Sequence, residues 1–318
     1  MTQFLEMPRR IPSQTRVAVL MGGWSAEREV SMASGEAVCE ALRKMGYEIV
    51  PMDPKPDIAE KLAELRPDVV FNALHGKWGE DGRVQGILET LEIPYTHSGV
   101  LASALAMDKQ RCKPLFADAG IPVAESKVVA LEAAAAQHPM APPYVIKPVR
   151  EGSSVGIHIV GSDKEQPVAA LAQEREVFGD EVMVERFVPG RELTCAVMGD
   201  VALGVLEIIP RGGFYDYDSK YAEGGSEHIC PAEIPPALRR RIQKHALAAH
   251  QALGCKGASR ADFRFDESMG EEGELVILEV NTQPGLTPTS LLPDIARQAG
   301  HSFEDLIMWM VDDASINR

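Results

Sequence analysis

Short apolar runs alternate with amphipathic segments over the first hundred residues. The runs at 16–21 (RVAVLM), 48–50 and 68–74 (DVVFNAL) are rich in β-branched side chains, so each predicts a buried strand. Apolar residues at helical spacing predict helices over 29–45, ended by Gly46, and over 58–65. The order strand–helix–strand–helix–strand predicts a doubly wound parallel sheet.

The pattern changes after residue 107. A helix is expected over 108–119, and strands over 123–129, 144–148, 157–160 and 182–187. Two long strands then meet at Gly199-Asp200, a favourable hairpin turn. A Gly- and Tyr-rich loop over 211–228, a helix over 236–253, strands over 259–266 and 274–281, a loop and a final helix follow. This mixture predicts α+β units with antiparallel sheets.

The charge balance, the cysteine spacing and the apolar runs limit the kinds of protein that this sequence could be. The 318 residues include 32 Lys+Arg and 47 Asp+Glu, and the net charge of -15 argues against general nucleic-acid binding, which needs a positive field. The five cysteines are scattered without a CxxC pair, which suits unpaired thiols in a reducing compartment. Neither a signal peptide nor a membrane-spanning run of about 20 apolar residues is evident. We therefore expect a soluble cytoplasmic protein.

The strongest chemical signal lies on the last two predicted strands. Because strand side chains alternate, Arg260 and Asp262 share one face of the first strand, and Glu279 and Asn281 share one face of the second. If the strands pair, two carboxylates and an amide oxygen converge, a ligand set suited to Mg²⁺. Two half-exposed strands with polar outer faces would explain the same alternation.

Two further segments have the composition of a nucleotide site. Lys147 ends a strand and precedes the Gly/Ser loop 151–156, whose backbone amides would wrap a phosphate, although a solvated lysine is the plainer interpretation. No GxxxxGK[ST] motif is present. Glu185 and Glu192 flank an apolar stretch that would form a slot for adenine and ribose, or a simple interdomain linker.

The first predicted domain contributes two glycine-rich loops, GGWSAEREVS at 22–31 and HGKWGEDGRVQG at 75–86. Both follow parallel strands, at the edge where open α/β sheets bind ligands. Glu27 falls at a helix start, where an acidic side chain could simply favour the helix dipole. The GxGxxG fingerprint of dinucleotide-binding proteins is absent.

Taken in order, these strings and their neighbours MDK, VIKPVREGSSVG, VERFVPGRELT, FYDYDSKY, SRADF and LEVNTQPGLTPTSLLP resemble the D-alanine–D-alanine ligase family over about residues 16–312. The resemblance implies a three-domain ATP-grasp fold, with ATP between the central and C-terminal domains. The expected domains are a Rossmann-like unit at 1–100, with 1–15 a loose extension, a central subdomain at 101–190, and a C-terminal catalytic subdomain at 191–318.

The resemblance also implies roles for individual residues, which fall into groups by chemistry. The donor-substrate group comprises Glu27, which would hold the ammonium of the first D-alanine, its hydrogen-bonded partners Ser153 and Tyr221, and His75 beside it. The ATP group comprises the phosphate-binding Lys109, Lys147 and Lys220 and the nucleoside pocket of Glu185, Val188 and Glu192. The remaining groups are the ligands of two Mg²⁺ (or Mn²⁺) ions, Asp262, Glu279 and Asn281; the oxyanion-stabilising Arg260 and Gly285 backbone; and Ser290 and Leu291 at the second D-alanine.

The implied activity is ATP-dependent joining of two D-alanine molecules through D-alanyl phosphate, releasing ADP and phosphate, for peptidoglycan synthesis. Tyr221 implies an amine rather than a hydroxyl acceptor, the loop over 211–228 implies a lid, and the family implies a homodimer formed through the N-terminal domain. Gln283 departs from the family, in which serine is common at this position, and the GGSEHIC stretch is this chain's own.

Three other functions are compatible with parts of the pattern. The first is an ATP-grasp ligase for another amino acid, and the second is a nucleotide-binding regulatory module without catalysis. The intact set of Arg260, Asp262, Glu279 and Asn281 argues against the second. The third is an NAD-dependent oxidoreductase, which the parallel sheet allows but the missing fingerprint disfavours.

Overall fold

A parallel three-stranded sheet forms the first part of the chain in the computed structural model, which describes residues 9–150, 152, 156–162, 168–210, 225–270 and 272–318. Its strands are β1 (Arg16–Leu20), β2 (Glu48–Met52) and β3 (Val69–Asn72), in the order β2–β1–β3, with α1 (Arg28–Lys44) and α2 (Ile58–Leu65) between them. Val17 and Val19 pack with α1, whereas Ala18 and Leu20 pack with α2. Helices therefore cover both faces, which confirms the doubly wound prediction.

Two short helices that the sequence pattern did not predict follow this sheet, α3 (Arg83–Thr90) and α4 (Val100–Met107). Each has only eight residues. In α3, Val84 and Leu88 are buried and Ile87 packs beside them at helical spacing, but the helix begins within the glycine-rich segment 75–86 that was predicted as a loop. Gly82, whose φ of 91° suits glycine, directly precedes α3.

The central part of the chain contains a four-stranded antiparallel sheet. Its elements are α5 (Lys109–Asp118), β4 (Ser126–Ala130), α6 (Leu131–Ala136), β5 (Tyr144–Pro148), β6 (His158–Val160), α7 (Arg175–Phe178) and β7 (Glu181–Arg186), and the strand order is β4–β7–β5–β6. Tyr144, Ile146 and Val184 pack in an apolar cluster beneath α6. Lys147 on β5 and Glu185 on β7 are thereby brought to neighbouring strands.

A five-stranded antiparallel sheet forms the rest of the structure. Its elements are β8 (Arg191–Met198), β9 (Val201–Pro210), β10 (Ser226–Ile229), α8 (Pro236–Ala252), β11 (Ala258–Asp266), β12 (Glu274–Asn281), α9 (Leu291–Gln298) and α10 (Phe303–Asp313), and the strand order is β10–β9–β8–β11–β12. One face packs on α8 through Cys195 and Phe263, and the other packs on α9 and α1 through Ala196 and Met198.

Two details of this part were not predicted. Strand β10 lies in the GGSEHIC stretch, and the single final helix is two helices separated at Gly300, whose φ is 95°. A capping box between Ser302 and Asp305 starts the second of them. Within the described ranges, no helix has the combination of length and apolar character that crossing a bilayer requires.

Candidate active site

The pairing of β11 with β12 brings the predicted metal-binding side chains together. Asp262 is directly opposite Glu279, and Arg260 is opposite Asn281. A β-bulge follows, because Asp262 pairs with Glu279 while the next residue, Phe263, pairs with Ile277. The bulge interrupts the register just beyond the carboxylate pair, a common position for bulges next to active sites.

Each of these polar side chains has a defined partner. The guanidinium of Arg260 donates from Nε and Nη2 to the two carboxylate oxygens of Asp262, both at 2.9 Å. Thr194 on β8 donates to Asp262 Oδ1 at 2.6 Å. Asn281 Oδ1 accepts from the backbone N–H of Gln283 at 2.8 Å. The side chains are therefore preorganised by hydrogen bonds within the sheet rather than splayed into solvent.

Lys109, the first residue of α5, reaches across to this sheet. Its Nζ lies 3.1 Å from Glu279 Oε2. Burial alone lowers the pKa of Lys109, but the charge and hydrogen bond of Glu279 outweigh it, so the pKa is raised. Lys109 is therefore a fixed positive charge beside the carboxylate pair.

The donor set fits a hard divalent cation. Within the described part of the chain, no group of three or more His, Cys, Asp or Glu side chains could hold a metal ion. Asp262, Glu279 and Asn281 offer two carboxylates and one amide oxygen. Mg²⁺ is commonly bound by one or two carboxylates, with water and substrate phosphates completing the octahedron, so the set is sufficient for a phosphate-bound ion.

A second polar cluster lies on the central sheet. Lys147 Nζ donates to Glu185 Oε1 at 2.8 Å, and Lys113 on α5 contacts the other carboxylate oxygen while donating to the Ala124 carbonyl at 2.6 Å. Burial raises the pKa of Glu185, but the positive charges of Lys147 and Lys113 lower it by more. The net effect is a lowered pKa. Burial lowers the pKa of Lys113, and Glu185 opposes this only in part. Lys113 was not predicted, although it follows Lys109 at i+4 on one helical face.

The predicted nucleoside segment divides into an apolar and a charged part. Val188 is buried in a small cluster with Ala124 and Val276. Glu192 pairs with Arg264 at 3.3 Å, and Arg264 Nε donates to the Val188 carbonyl at 3.0 Å. An apolar slot beside charged anchors is the arrangement that the slot interpretation requires.

Glu27 directly precedes α1 and is only 8% exposed. Its side chain makes no capping hydrogen bond to α1, so helix capping does not explain its position. Its carboxylate instead lies among glycines. A Cβ on Gly76 would collide with Oε2, and a Cβ on Gly152 would lie 3.2 Å from it.

His75, on the loop after β3, is held by two neighbours. Its Nδ1 lies 2.9 Å from Glu80 Oε1, and its Nε2 lies 3.2 Å from Ser34 Oγ. Burial lowers the pKa of His75, but Glu80 and Glu27 raise it more, so the net pKa is raised. Glu80 was not predicted, because nothing in the sequence shows that the loop folds back on His75.

Residues 285–291, which include the predicted contacts to the second D-alanine, begin close to His75. The backbone at Gly285 approaches Ser290, whose Oγ accepts from the Thr287 N–H at 3.0 Å, and a Cβ on Gly285 would lie 2.7 Å from that Oγ. Leu291 begins α9 and is buried. The close approach explains why glycine stands at 285.

One open cavity joins most of these elements. The predicted site residues that line it are Glu27, His75, Lys109, Arg260, Glu279, Asn281, Gly285, Ser290 and Leu291. Lys147 and Glu185 contact each other on the central sheet, whereas Val188 and Glu192 are joined through Arg264. Ser153, Lys220, Tyr221 and residues 211–224 of the lid predicted over 211–228 lie outside the described residues, and the remainder of that segment includes the start of β10.

The cysteines contribute no reactive group. All five are free thiols. Burial raises the pKa of Cys112, Cys195 and Cys255 to about 12, so each is held as the unreactive protonated form.

Comparison with known proteins connects this geometry to one family. Residues 115–312 match the family model described as D-ala D-ala ligase C-terminus, and residues 52–98 match D-ala D-ala ligase N-terminus. D-alanine--D-alanine ligase B of Mesorhizobium japonicum is 60% identical over 303 residues, covering 95% of this chain and 98% of that protein.

Two solved ligase structures are similar to this chain over most of its length. D-alanine--D-alanine ligase from Bacillus anthracis, complexed with ATP, superposes with a TM-score of 0.78 at 33% identity, covering 94% of this chain and 96% of that one. VanG D-Ala:D-Ser ligase from Enterococcus faecalis gives a TM-score of 0.76 at 34% identity, covering 93% and 98%. The chain therefore has the ATP-grasp fold and belongs to the D-alanine–D-alanine ligase family.

Proposed function

We propose that this protein is an ATP-dependent D-alanine–D-alanine ligase that acts through D-alanyl phosphate and releases ADP and phosphate. The observation that carries the proposal is the single cavity lined by Glu27, Arg260 and Glu279. It combines an anion for a substrate ammonium, a cation for a developing oxyanion and a carboxylate for a metal. Relatives that match nearly the whole chain are D-alanine–D-alanine ligases.

The carboxylate of an amino acid is a poor acyl donor, because its oxygen is a poor leaving group. In the proposed first step, a carboxylate oxygen of D-alanine bonds to the γ-phosphorus of ATP, and the bond to the β–γ bridging oxygen breaks to release ADP. Glu27 would hold the ammonium of this first D-alanine, beside His75. Lys109 and Lys147, with Lys220, would bind the phosphate oxygens.

Asp262, Glu279 and Asn281 would hold Mg²⁺, as two ions, with Mn²⁺ as an alternative. The ion supplies positive charge that offsets the charge on the phosphate oxygens. The paired positions of these side chains on β11 and β12 support this assignment. Their neighbours Arg260 and Lys109 add positive charge at the same place.

The nucleoside would bind at the second cluster. The apolar group around Val188 would contact the adenine ring, and Glu185 would accept a hydrogen bond from its exocyclic amine. An ionised Glu185 is the stronger acceptor, and the two lysines that lower its pKa favour that state. Glu192 would contact the ribose.

In the proposed second step, the neutral amine of another D-alanine attacks the acyl carbon of D-alanyl phosphate, and phosphate leaves. Arg260 and the backbone N–H at Gly285 would donate to the oxyanion of the tetrahedral intermediate, the type of interaction that contributes most to acyl transfer. Ser290 and Leu291 would contact this acceptor. Acyl phosphates hydrolyse, so the reaction needs a site that excludes water.

Further aspects of the proposal rest on the family alone. Tyr221, linked to Ser153, would favour an amine acceptor over D-lactate. The product would serve peptidoglycan synthesis, and the protein would act as a homodimer formed through its N-terminal domain. The domain boundaries near residues 100 and 190 are proposed on the same basis.

The test is ADP release from ATP and Mg²⁺ with D-alanine, with L-alanine or with no amino acid, with the product identified by mass. ADP and D-alanyl-D-alanine should appear only with D-alanine. ATP binding without turnover on D-alanine would redirect the search to other amino acids. Failure to bind ATP would contradict the proposal as a whole.

A further inference from the structure

The Gln283 side chain connects the two loops that would carry the two amino-acid substrates. It is 2% exposed, and its two polar atoms are satisfied by the last residue of β3 and by the loop that follows. Oε1 accepts from Asn72 Nδ2 at 2.8 Å, and Nε2 donates to the Leu74 carbonyl. Gln283 belongs to the turn 281–285, and its partners Asn72 and Leu74 belong to the segment 72–79.

The loop that Gln283 contacts is the one that shapes the donor site. Asn72 Nδ2 also donates to the Gly79 carbonyl at 3.0 Å, and its Oδ1 accepts from the Leu74 N–H at 3.2 Å. Asn72 thereby closes the loop on itself. His75 and Gly76, which face the proposed first D-alanine and Glu27, lie between these two anchoring points.

The backbone and the side chain of Gln283 have separate partners. Its backbone N–H donates to Asn281 Oδ1 at 2.8 Å, a contact that any non-proline residue would make. Only the side chain reaches Asn72 and Leu74. A substitution at this position can therefore break the contact between the loops while keeping the hydrogen bond to the proposed metal ligand.

We propose that the Gln283 side chain is a positioning residue for the second amino-acid substrate. By tying the turn 281–285 to the donor loop, it fixes the distance between the acceptor contacts at 285–291 and the acyl carbon held beside Glu27. A displacement of about 1 Å between reacting groups can cost as much as 10²-fold in rate. The inference rests on the proposed ligase activity and assigns a role to the residue that departs from the family pattern.

The test compares two products of the same acyl phosphate in Gln283→Met. Methionine matches glutamine in length and makes neither hydrogen bond. Half-maximal formation of D-alanyl-D-alanine should require about 5- to 30-fold more D-alanine, because two buried hydrogen bonds that set the acceptor position are lost. Hydroxylamine is a small nucleophile that attacks the acyl carbon and displaces phosphate without the acceptor contacts. D-alanyl hydroxamate formation should therefore change less than about twofold, because the donor side is kept.

Gln85→Met is the matched control. Gln85 is also buried, and its Nε2 donates to the Gly79 carbonyl at 2.7 Å, but it lies on the donor side and makes no hydrogen bond to the turn 281–285. Its loss should leave the ratio of the two products unchanged. Gln283→Ser, with the residue common in the family, gives a second variant whose side chain is too short to reach Asn72.

The outcomes separate the inference from the proposed function. A fall in dipeptide formation with hydroxamate formation preserved, in Gln283→Met or Gln283→Ser but not in Gln85→Met, supports the positioning role. Equal loss of both products, or no change in either, overturns it. Wild-type protein that forms neither product overturns the proposed function itself and the inference with it.

Discussion

Replacing Lys113 by methionine removes one of the two ammonium groups that contact the Glu185 carboxylate. Lys113 is 5% exposed, and it also donates to the Ala124 carbonyl at 2.6 Å. Methionine keeps the apolar stem and its packing but loses the charge. Lys147, 2.8 Å from the same carboxylate, remains as a partner. The substitution therefore isolates the contribution of one buried charge.

The contacts of Lys113 determine how much unfolding free energy the substitution should remove. A hydrogen bond from a charged group contributes about 1.5–3 kcal/mol, and breaking a buried ion pair completely costs about 3–5 kcal/mol. The cost here should fall in the lower range, because Lys147 still neutralises Glu185 and because burial of Lys113, which lowers its pKa, is itself unfavourable. A loss of about 2 kcal/mol would lower the melting temperature by roughly 3 °C, because the unfolding entropy of 318 residues is about 0.7 kcal/mol/K.

The same substitution should weaken ATP binding. With one positive charge fewer, the pKa of Glu185 should rise, and the carboxylate should be held less firmly toward the nucleoside slot. We expect the KM for ATP to rise about 3- to 10-fold with little change in kcat, the pattern of a lost ground-state binding interaction. Lys127→Met, which removes an exposed lysine from β4, is the control and should change neither quantity.

Thermal unfolding and steady-state ADP release measure both effects on one preparation. A melting temperature within about 1 °C of the wild-type value, combined with an unchanged KM for ATP, would contradict the reasoning. Lys147 alone would then satisfy Glu185, and Lys113 would have no part in the nucleotide site.

Three further substitutions test other parts of the site. Glu279→Gln should lower D-alanine-dependent ADP release by about 10²-fold or more while preserving the fold, since the side chain is 27% exposed; near-wild-type turnover would refute its metal role. Gly76→Ala should raise the half-saturating D-alanine concentration, because φ is +68° and a Cβ would displace Glu27; an unchanged dependence on D-alanine would refute that contact. The hydrogen bond from Arg28 lowers the pKa of Asp53 from its ordinary value of 3.8 to about 2. The ion pair therefore stabilises the fold fully above pH 3.8, and this stabilisation is lost as the pH falls toward 2. Melting temperatures of wild type and Asp53→Asn should therefore converge over that interval, and a difference independent of pH would show that the ion pair is not the cause.

Most of the sheet structure could be predicted from the sequence because its strands are apolar and bounded by turn residues. Residues 144–148 and 274–281 form strands with the predicted bounds. Helices α3 and α4 and strand β10 were not predicted: α3 begins within the glycine-rich segment 75–86, and β10 begins in the Gly-rich segment 211–228, both of which were predicted as loops. The final segment was predicted as one helix, although Gly300 and the Ser302–Asp305 capping pair are sequence signals for a break.

The site was predictable where it depends on strand alternation. Period-two spacing predicted which side chains share a face of each strand, whereas the register that places Asp262 opposite Glu279, with the β-bulge after it, is a result of the structure. Lys113 and Glu80 required knowledge of which helix packs on which strand and how a loop folds back, and these are tertiary contacts without a local signal. Gln283 was recognisable only as a departure from the family, and its partners Asn72, at the end of β3, and Leu74, on the following loop, were found only in the structure.

The fate of the donor carboxylate oxygen tests the ligation chemistry most directly. D-alanine labelled with ¹⁸O in both carboxylate oxygens would be incubated with ATP, Mg²⁺ and the protein, and the inorganic phosphate would be examined by mass spectrometry. Transfer through D-alanyl phosphate predicts one labelled oxygen in each phosphate released, because the oxygen that bonds to the γ-phosphorus leaves with it. Phosphate without label, or label in AMP, would contradict the acyl-phosphate route and the roles assigned to Glu27, Arg260 and the β11–β12 pair.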